Sequence, residues 1–196
     1  MKSRTLLGAG LTLASLFLLT RSFAEDGGKR ASTLKERTEG MKVESATFAA
    51  GCFWHVEDTF RTVEGVVSTE VGFEGGNFEH PTYRDVCTDK TGHAESVKIT
   101  YDPSKVSYRN LLEAFFNLHD PTAVDRQGPD VGTQYRSVIF YATPEQKEQA
   151  LAFKAELERS HRYSRPIATE IARASTFWRA EEYHQQYYEK ERGESR

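Results

Sequence analysis

Between Ser96 and Tyr101 the chain alternates strictly. Val97, Ile99 and Tyr101 are separated by Ser96, Lys98 and Thr100. A period of two is the mark of a half-buried strand, and a helix cannot bury such a pattern on one face. Around it the period switches. Ala46 to Ala50 and Val66 to Phe73 read as strands, and so does Ser137 to Tyr141. Phe53, Trp54, Val56, Glu57 and Phe60 fall at helical spacing, with Glu57 and Asp58 suited to the positive end of a helix. Leu111, Leu112, Phe115 and Phe116 share a second helical face, which His119-Asp120-Pro121 stops. The order is β-α-β, β-α-β, then additions. This predicts an α+β fold: a split βαβ, ferredoxin-like plait with a mixed, largely antiparallel sheet and extra C-terminal elements. Among the additions, Thr143 caps a helix with Pro144 at its first position and Gln146 completing a capping box. Ile167, Thr169 and Ile171 suggest a last strand, and Phe177 to Tyr188 an aromatic-rich helix whose tyrosines 183, 187 and 188 pack. The formal charge is only −3, so no basic excess points to nucleic acid.

The first 24 residues differ from the rest. Lys2 and Arg4 precede an apolar run from Leu6 to Leu19, then Ser22-Phe23-Ala24. This is the layout of a signal peptide over 1–24, and it predicts export to the bacterial periplasm or secretion. The run is shorter than the ~20 residues of a membrane span, so no stable span is expected after cleavage. Residues 25–43 read as a flexible lead-in, 44–190 as a single catalytic domain and 191–196 as a polar tail.

Two polar loops, 74–93 and 120–135, are long enough to be functional. The sharpest local feature is Gly51-Cys52-Phe53-Trp54 at a strand-to-helix junction. There the helix N-terminus favours an anion, which predicts a lowered thiol pKa for Cys52. The same residue also suits a small core side chain. Glu95 shares the parity of Val97, Ile99 and Tyr101, so its carboxyl falls on an apolar face. Desolvation there raises its pKa and lets it hold a proton at neutral pH, although a strand-entry Glu can also simply reach water. Tyr83 and Tyr135 flank the loops and can donate to a ligand oxygen or pack. Asp130 follows Pro129 in a turn. The six histidines show no metal-ligand spacing, so no metal is expected.

In order along 46–188 the chain carries GCFW (51–54), PTY (81–83), VC (86–87), TGHAE (91–95) and YDP (101–103). HDPT (119–122), RQG (126–128), GTQYRS (132–137), TEI (169–171) and AEEYHQQY (180–187) follow. In these it resembles the A-type peptide methionine sulfoxide reductases. The resemblance implies reduction of the S epimer of methionine sulfoxide, in oxidised proteins, in peptides or free. It implies Cys52 as nucleophile, Glu95 as proton donor, Tyr83 and Tyr135 on the sulfoxide oxygen, and Phe53 and Trp54 around the substrate methyl. Asp130 stands where an Asp orders the site. No bound cofactor is implied.

Two departures stand out. His55 replaces the glycine usual after GCFW, where it adds charge near the sulfur or crowds the pocket mouth. No cysteine follows Cys87. Recycling is therefore expected from an external thiol, a thioredoxin-like or glutaredoxin-like protein, with Cys87 as the alternative resolver. A monomer is expected. Two other readings stay open on the residues alone: a binding module with a structural disulfide, and a cysteine hydrolase using a histidine base.

Overall fold

The computed structural model describes Gly40 and residues 42–193. The signal-peptide reading, most of the lead-in and the last three residues of the tail lie outside them. Five strands build the centre, that over Ala94–Tyr101 on its alternating pattern and that over Ser137–Tyr141 on a continuous apolar run buried on both faces. They are β1 (Glu44–Ala50), β2 (Val66–Glu74), β3 (Ala94–Tyr101), β6 (Ser137–Tyr141) and β7 (Glu170–Arg173). With β8 (Trp178–Arg179) they form one sheet in the order β7-β6-β1-β3-β2-β8. β1 runs antiparallel to β3 and β6, β2 antiparallel to β3 and β8, and only β6 and β7 are parallel. The inner order β6-β1-β3-β2 has β3 inserted between β1 and β2. Those two strands are joined by helix α1 (Phe53–Arg61), so the arrangement is the split βαβ plait expected.

Helix α3 (Tyr108–Leu118) begins at a Ser107–Asn110 capping box and shares the core with α1. Phe48 of β1 lies 5.4 Å from Phe60 of α1 and 5.0 Å from Phe115 of α3, centroid to centroid. All three are fully buried. Helix α4 (Pro144–Arg159) leans on α3 through Phe153 and Phe116. Its Thr143 cap and Pro144 start are as expected, but the capping box is not completed. The Gln146 side chain instead accepts from Ala142 N–H and donates to the Ser45 carbonyl, tying α4 to β1.

The end of the chain corrects the sequence reading. Residues 177–188 are not one helix. They form β8, a 3-10 turn over Glu182–His184 and a bend at Gln186, where φ is +49, before helix α5 (Tyr187–Arg192). The aromatic spacing misled because the rings point different ways: Tyr187 stacks on Trp54 of α1, Trp178 packs on His80, and Phe177 lies under Lys98 of β3. Helix α5 also runs into the stretch read as tail, and Arg192 pairs with Asp58. Glu57 is not a first-turn charge. It is buried, accepts from Thr69 and Gln186, and anchors the C-terminal segment to α1. Among the described residues no helix is long and apolar enough to cross a membrane.

Candidate active site

The antiparallel register brings the ends of β1 and β2 and the starts of β3 and β6 to one edge of the sheet. Ala50 faces Ser137, and Phe73 faces Glu95. Both long loops leave from this edge. The first contains helix α2 (Tyr83–Val86), capped by a Thr82–Asp85 box. The second contains a small hairpin, β4 (Arg126–Gln127) with β5 (Asp130–Val131), and a 3-10 turn over Thr133–Tyr135. Asp89 from the first loop accepts from both the backbone N–H and the hydroxyl of Thr133, so the segments bearing Tyr83 and Tyr135 are tied together.

Gly51 turns the chain from β1 into α1 with φ of +89. A Cβ there would meet Gln127 Cβ at 2.6 Å. Glycine is required on both counts, and it lets the hairpin close over the junction. Gln127 is itself held by Asp120, accepting from its N–H and donating to its carbonyl, each at 3.1 Å.

Cys52 is the N-cap residue of α1, half-buried and not disulfide-bonded. Its side chain makes no capping hydrogen bond, and the N–H of His55 donates to its backbone carbonyl at 3.2 Å, but the backbone N–H groups of Trp54 and His55 lie near the sulfur and favour its charged form. The expected lowered pKa is overturned. Burial, with the nearby Glu95 charge second, outweighs those two donors and pushes the thiol up to about 11. The dipole of a nine-residue helix, felt at one half-buried atom, is the weaker effect.

Glu95 points inward as its strand parity predicted and is 2% exposed. Phe53 N–H donates to its Oε2 at 3.0 Å, so the carboxyl is held against the first turn of the helix that Cys52 caps. Burial, helped by the Asp130 charge, raises its pKa to about 8 and leaves it protonated at neutral pH. This gives Asp130 a physical role, since its negative charge disfavours ionisation of Glu95. Tyr135, its hydroxyl pushed up to about 12 mainly by burial, and Tyr83, pushed higher still, remain donors. Both feel the Glu95 charge. The Tyr83 hydroxyl also bonds the thiol of Cys87, which is exposed at the C-cap of α2.

Phe53 is buried among Phe73, Tyr83 and His184. Trp54 is fixed on two sides: its Nε1–H donates to His184 Nδ1 at 3.0 Å, and its ring stacks on Tyr187 at 3.9 Å. His55 faces solvent. Its charge acts on Asp58, and only its backbone N–H reaches Cys52.

Sequence reasoning missed His184, Tyr187 and Glu181, which accepts from Tyr83 N–H at 3.0 Å. The signal lay in AEEYHQQY, where five polar side chains sit beside two tyrosines, but the stretch reads as packing unless its bends are known. Of the tyrosines read there as packing, Tyr183 is exposed.

A buried neutral acid, a cysteine at a helix start and two tyrosines in one place define a thiol oxidoreductase site. The family model of peptide methionine sulfoxide reductase matches residues 44–196. The chain is 62% identical over 151 residues to peptide methionine sulfoxide reductase MsrA of Methanoculleus marisnigri, covering 77% of this chain and 92% of that protein. The structure is similar to reduced Mxr1 from Saccharomyces cerevisiae, with a TM-score of 0.73, 34% identity and coverage of 79% and 89% of the two chains. It is also similar to Mxr1 in complex with Trx2, with a TM-score of 0.53, 25% identity and coverage of 74% and 85%. The chain belongs to the peptide methionine sulfoxide reductase family. Its activity is the thiol-dependent reduction of the S epimer of methionine sulfoxide to methionine.

Proposed function

We propose that Cys52 is the nucleophile and Glu95 the proton donor of this reduction, in the repair of oxidised proteins and peptides and of free methionine sulfoxide. The observation that carries the reading is the 3.0 Å bond from Phe53 N–H to the buried Glu95 carboxyl, which holds a neutral acid against the turn bearing the sulfur. The sulfoxide oxygen takes the proton of Glu95 and hydrogen bonds from Tyr83 and Tyr135. Its sulfur, made electrophilic, faces Cys52, and the methyl lies against Phe53 and Trp54. The S–O bond breaks and an S–O bond forms on Cys52. The substrate sulfur gains two electrons and Cys52 loses two, becoming a sulfenic acid. The proton of the Cys52 thiol restores neutral Glu95, so the carboxyl is unchanged over the step. A thiol kept protonated until substrate arrives fits this exchange better than a resting thiolate. The experiment is sulfoxide turnover with a small dithiol: Cys52→Ser is expected to be inactive and Glu95→Gln severely slowed. Full activity in either variant removes that residue's role.

An external thioredoxin-like thiol then reduces Cys52. The complex of the related Mxr1 with Trx2 supports this, as does the absence of any cysteine after Cys87. Peptide mapping after one turnover without reductant is expected to find a lone sulfenic acid. A Cys52–Cys87 bridge would make Cys87 the resolver. The N-terminal pattern supports export to the periplasm or outside the cell, and a monomer is the expected state there. N-terminal sequencing of the exported protein is expected to start at Glu25, and gel filtration to give a single-chain mass.

A further inference from the structure

Two residues before Glu95, His93 is 1% exposed and has both ring nitrogens engaged. Gly76 N–H meets Nδ1 at 3.0 Å, and Nε2 lies 2.8 Å from the Phe78 carbonyl. A backbone N–H only donates and a carbonyl only accepts. Nδ1 is therefore the acceptor and Nε2 carries the proton, which fixes the neutral tautomer from both sides. The two strands of this loop are pressed together beside the ring. Asn77 N–H donates to the Thr91 carbonyl at 3.2 Å. A Cβ on Gly76 would lie 2.3 Å from the Thr91 carbonyl oxygen and 2.5 Å from the His93 nitrogen. From Phe78 the chain runs through His80, where φ is +52, to Tyr83, whose N–H is held by Glu181.

We infer that His93 is a positioning residue for sulfoxide reduction. Its imidazole clips the Gly76–Phe78 backbone to the start of the Glu95 strand and so sets where the Tyr83 hydroxyl stands relative to the Glu95 carboxyl. The inference rests on the reading of Tyr83 as a ligand of the sulfoxide oxygen. A displacement of about 1 Å at a reacting group is enough to cost ~100-fold in rate.

A double-mutant cycle tests it, using kcat/KM for a methionine sulfoxide peptide with a dithiol reductant. His93→Ala and Tyr83→Phe are each expected to lower kcat/KM at least ~10-fold, and the pair to be no more than about twofold worse than the weaker single variant. His93→Asn, which keeps an acceptor, and His93→Gln, which keeps a donor, should each recover part of the loss. Alkylation of Cys52 in His93→Ala should proceed at the wild-type rate. If His93→Ala does not fold, the cycle is run with His93→Gln. Losses that multiply overturn the clip and leave the role of Tyr83 standing. A fully active Tyr83→Phe removes that role, and this inference with it.

Discussion

At pH 7 the Glu95 carboxyl, titrating at about 8, holds the proton that a carboxyl free in water gives up at pH ~4. Activity that needs this proton should be flat below neutrality and fall as pH rises through about 8, which a pH profile of kcat/KM checks. Glu95→Gln should abolish that fall and lower the rate by ~100-fold or more. The same burial has a cost in stability. The folded pKa lies above the unfolded value, so the folded state binds the extra proton, and stability declines as pH rises from about 4.5 to about 8. Glu95→Gln should therefore raise the melting temperature at pH 8 more than at pH 5, with at most about 3 kcal/mol available near neutrality. An equal shift at both pH values would contradict the desolvation argument. Cys52 should be alkylated slowly at pH 7, with a titration near 11 that drops in Glu95→Gln because a repelling charge is gone. A wild-type titration below 8 would restore the reading from the helix dipole.

The β1–α1 junction works because Gly51 is absent as a side chain. Gly51→Ala adds a Cβ 2.6 Å from Gln127 to a backbone already at positive φ. It is expected to cost ~1–3 kcal/mol by denaturant titration and to lower kcat by displacing Cys52. His55 sits one turn on, at a helical position whose side chain faces water. His55→Gly should leave the Cys52 titration unmoved, since its charge reaches Asp58 and not the sulfur. It should cost about 0.5–1 kcal/mol as a glycine in a helix. A shifted thiol titration would show that the ring, after all, acts on the site.

For the whole molecule, the C-terminal segment is what closes the site. Gln185 donates to the Val71 carbonyl and accepts from its N–H, Gln186 satisfies the buried Glu57, and Glu189 pairs with Arg61 at 2.7 Å. A chain ending at Arg179 strips the C-terminal partners from Val71, Glu57 and Arg61, leaving the last two only their bonds to Thr69. It should lose the cooperative thermal transition or melt far lower, where a dispensable tail would leave the melting temperature unchanged. The plait itself was legible beforehand because its signals are local. Val97, Ile99 and Tyr101 alternate within one strand, and Leu111 to Phe116 repeat within one helix. The parity that buries Glu95 is likewise written in its own strand, so its raised pKa could be read without coordinates. The pKa of Cys52 could not, because it is the balance of two local N–H donors against burial and charge supplied by β3 and the hairpin. Nor could the anchoring of Trp54 by His184 and Tyr187, 130 and 133 residues further along the chain. The sequence by itself determined the order of strands and helices and which groups carry the chemistry, since periodicity and side-chain type need only near neighbours. Only the tertiary structure decided how those groups are protonated and held, because desolvation and hydrogen bonding depend on what distant segments bring to the same edge of the sheet.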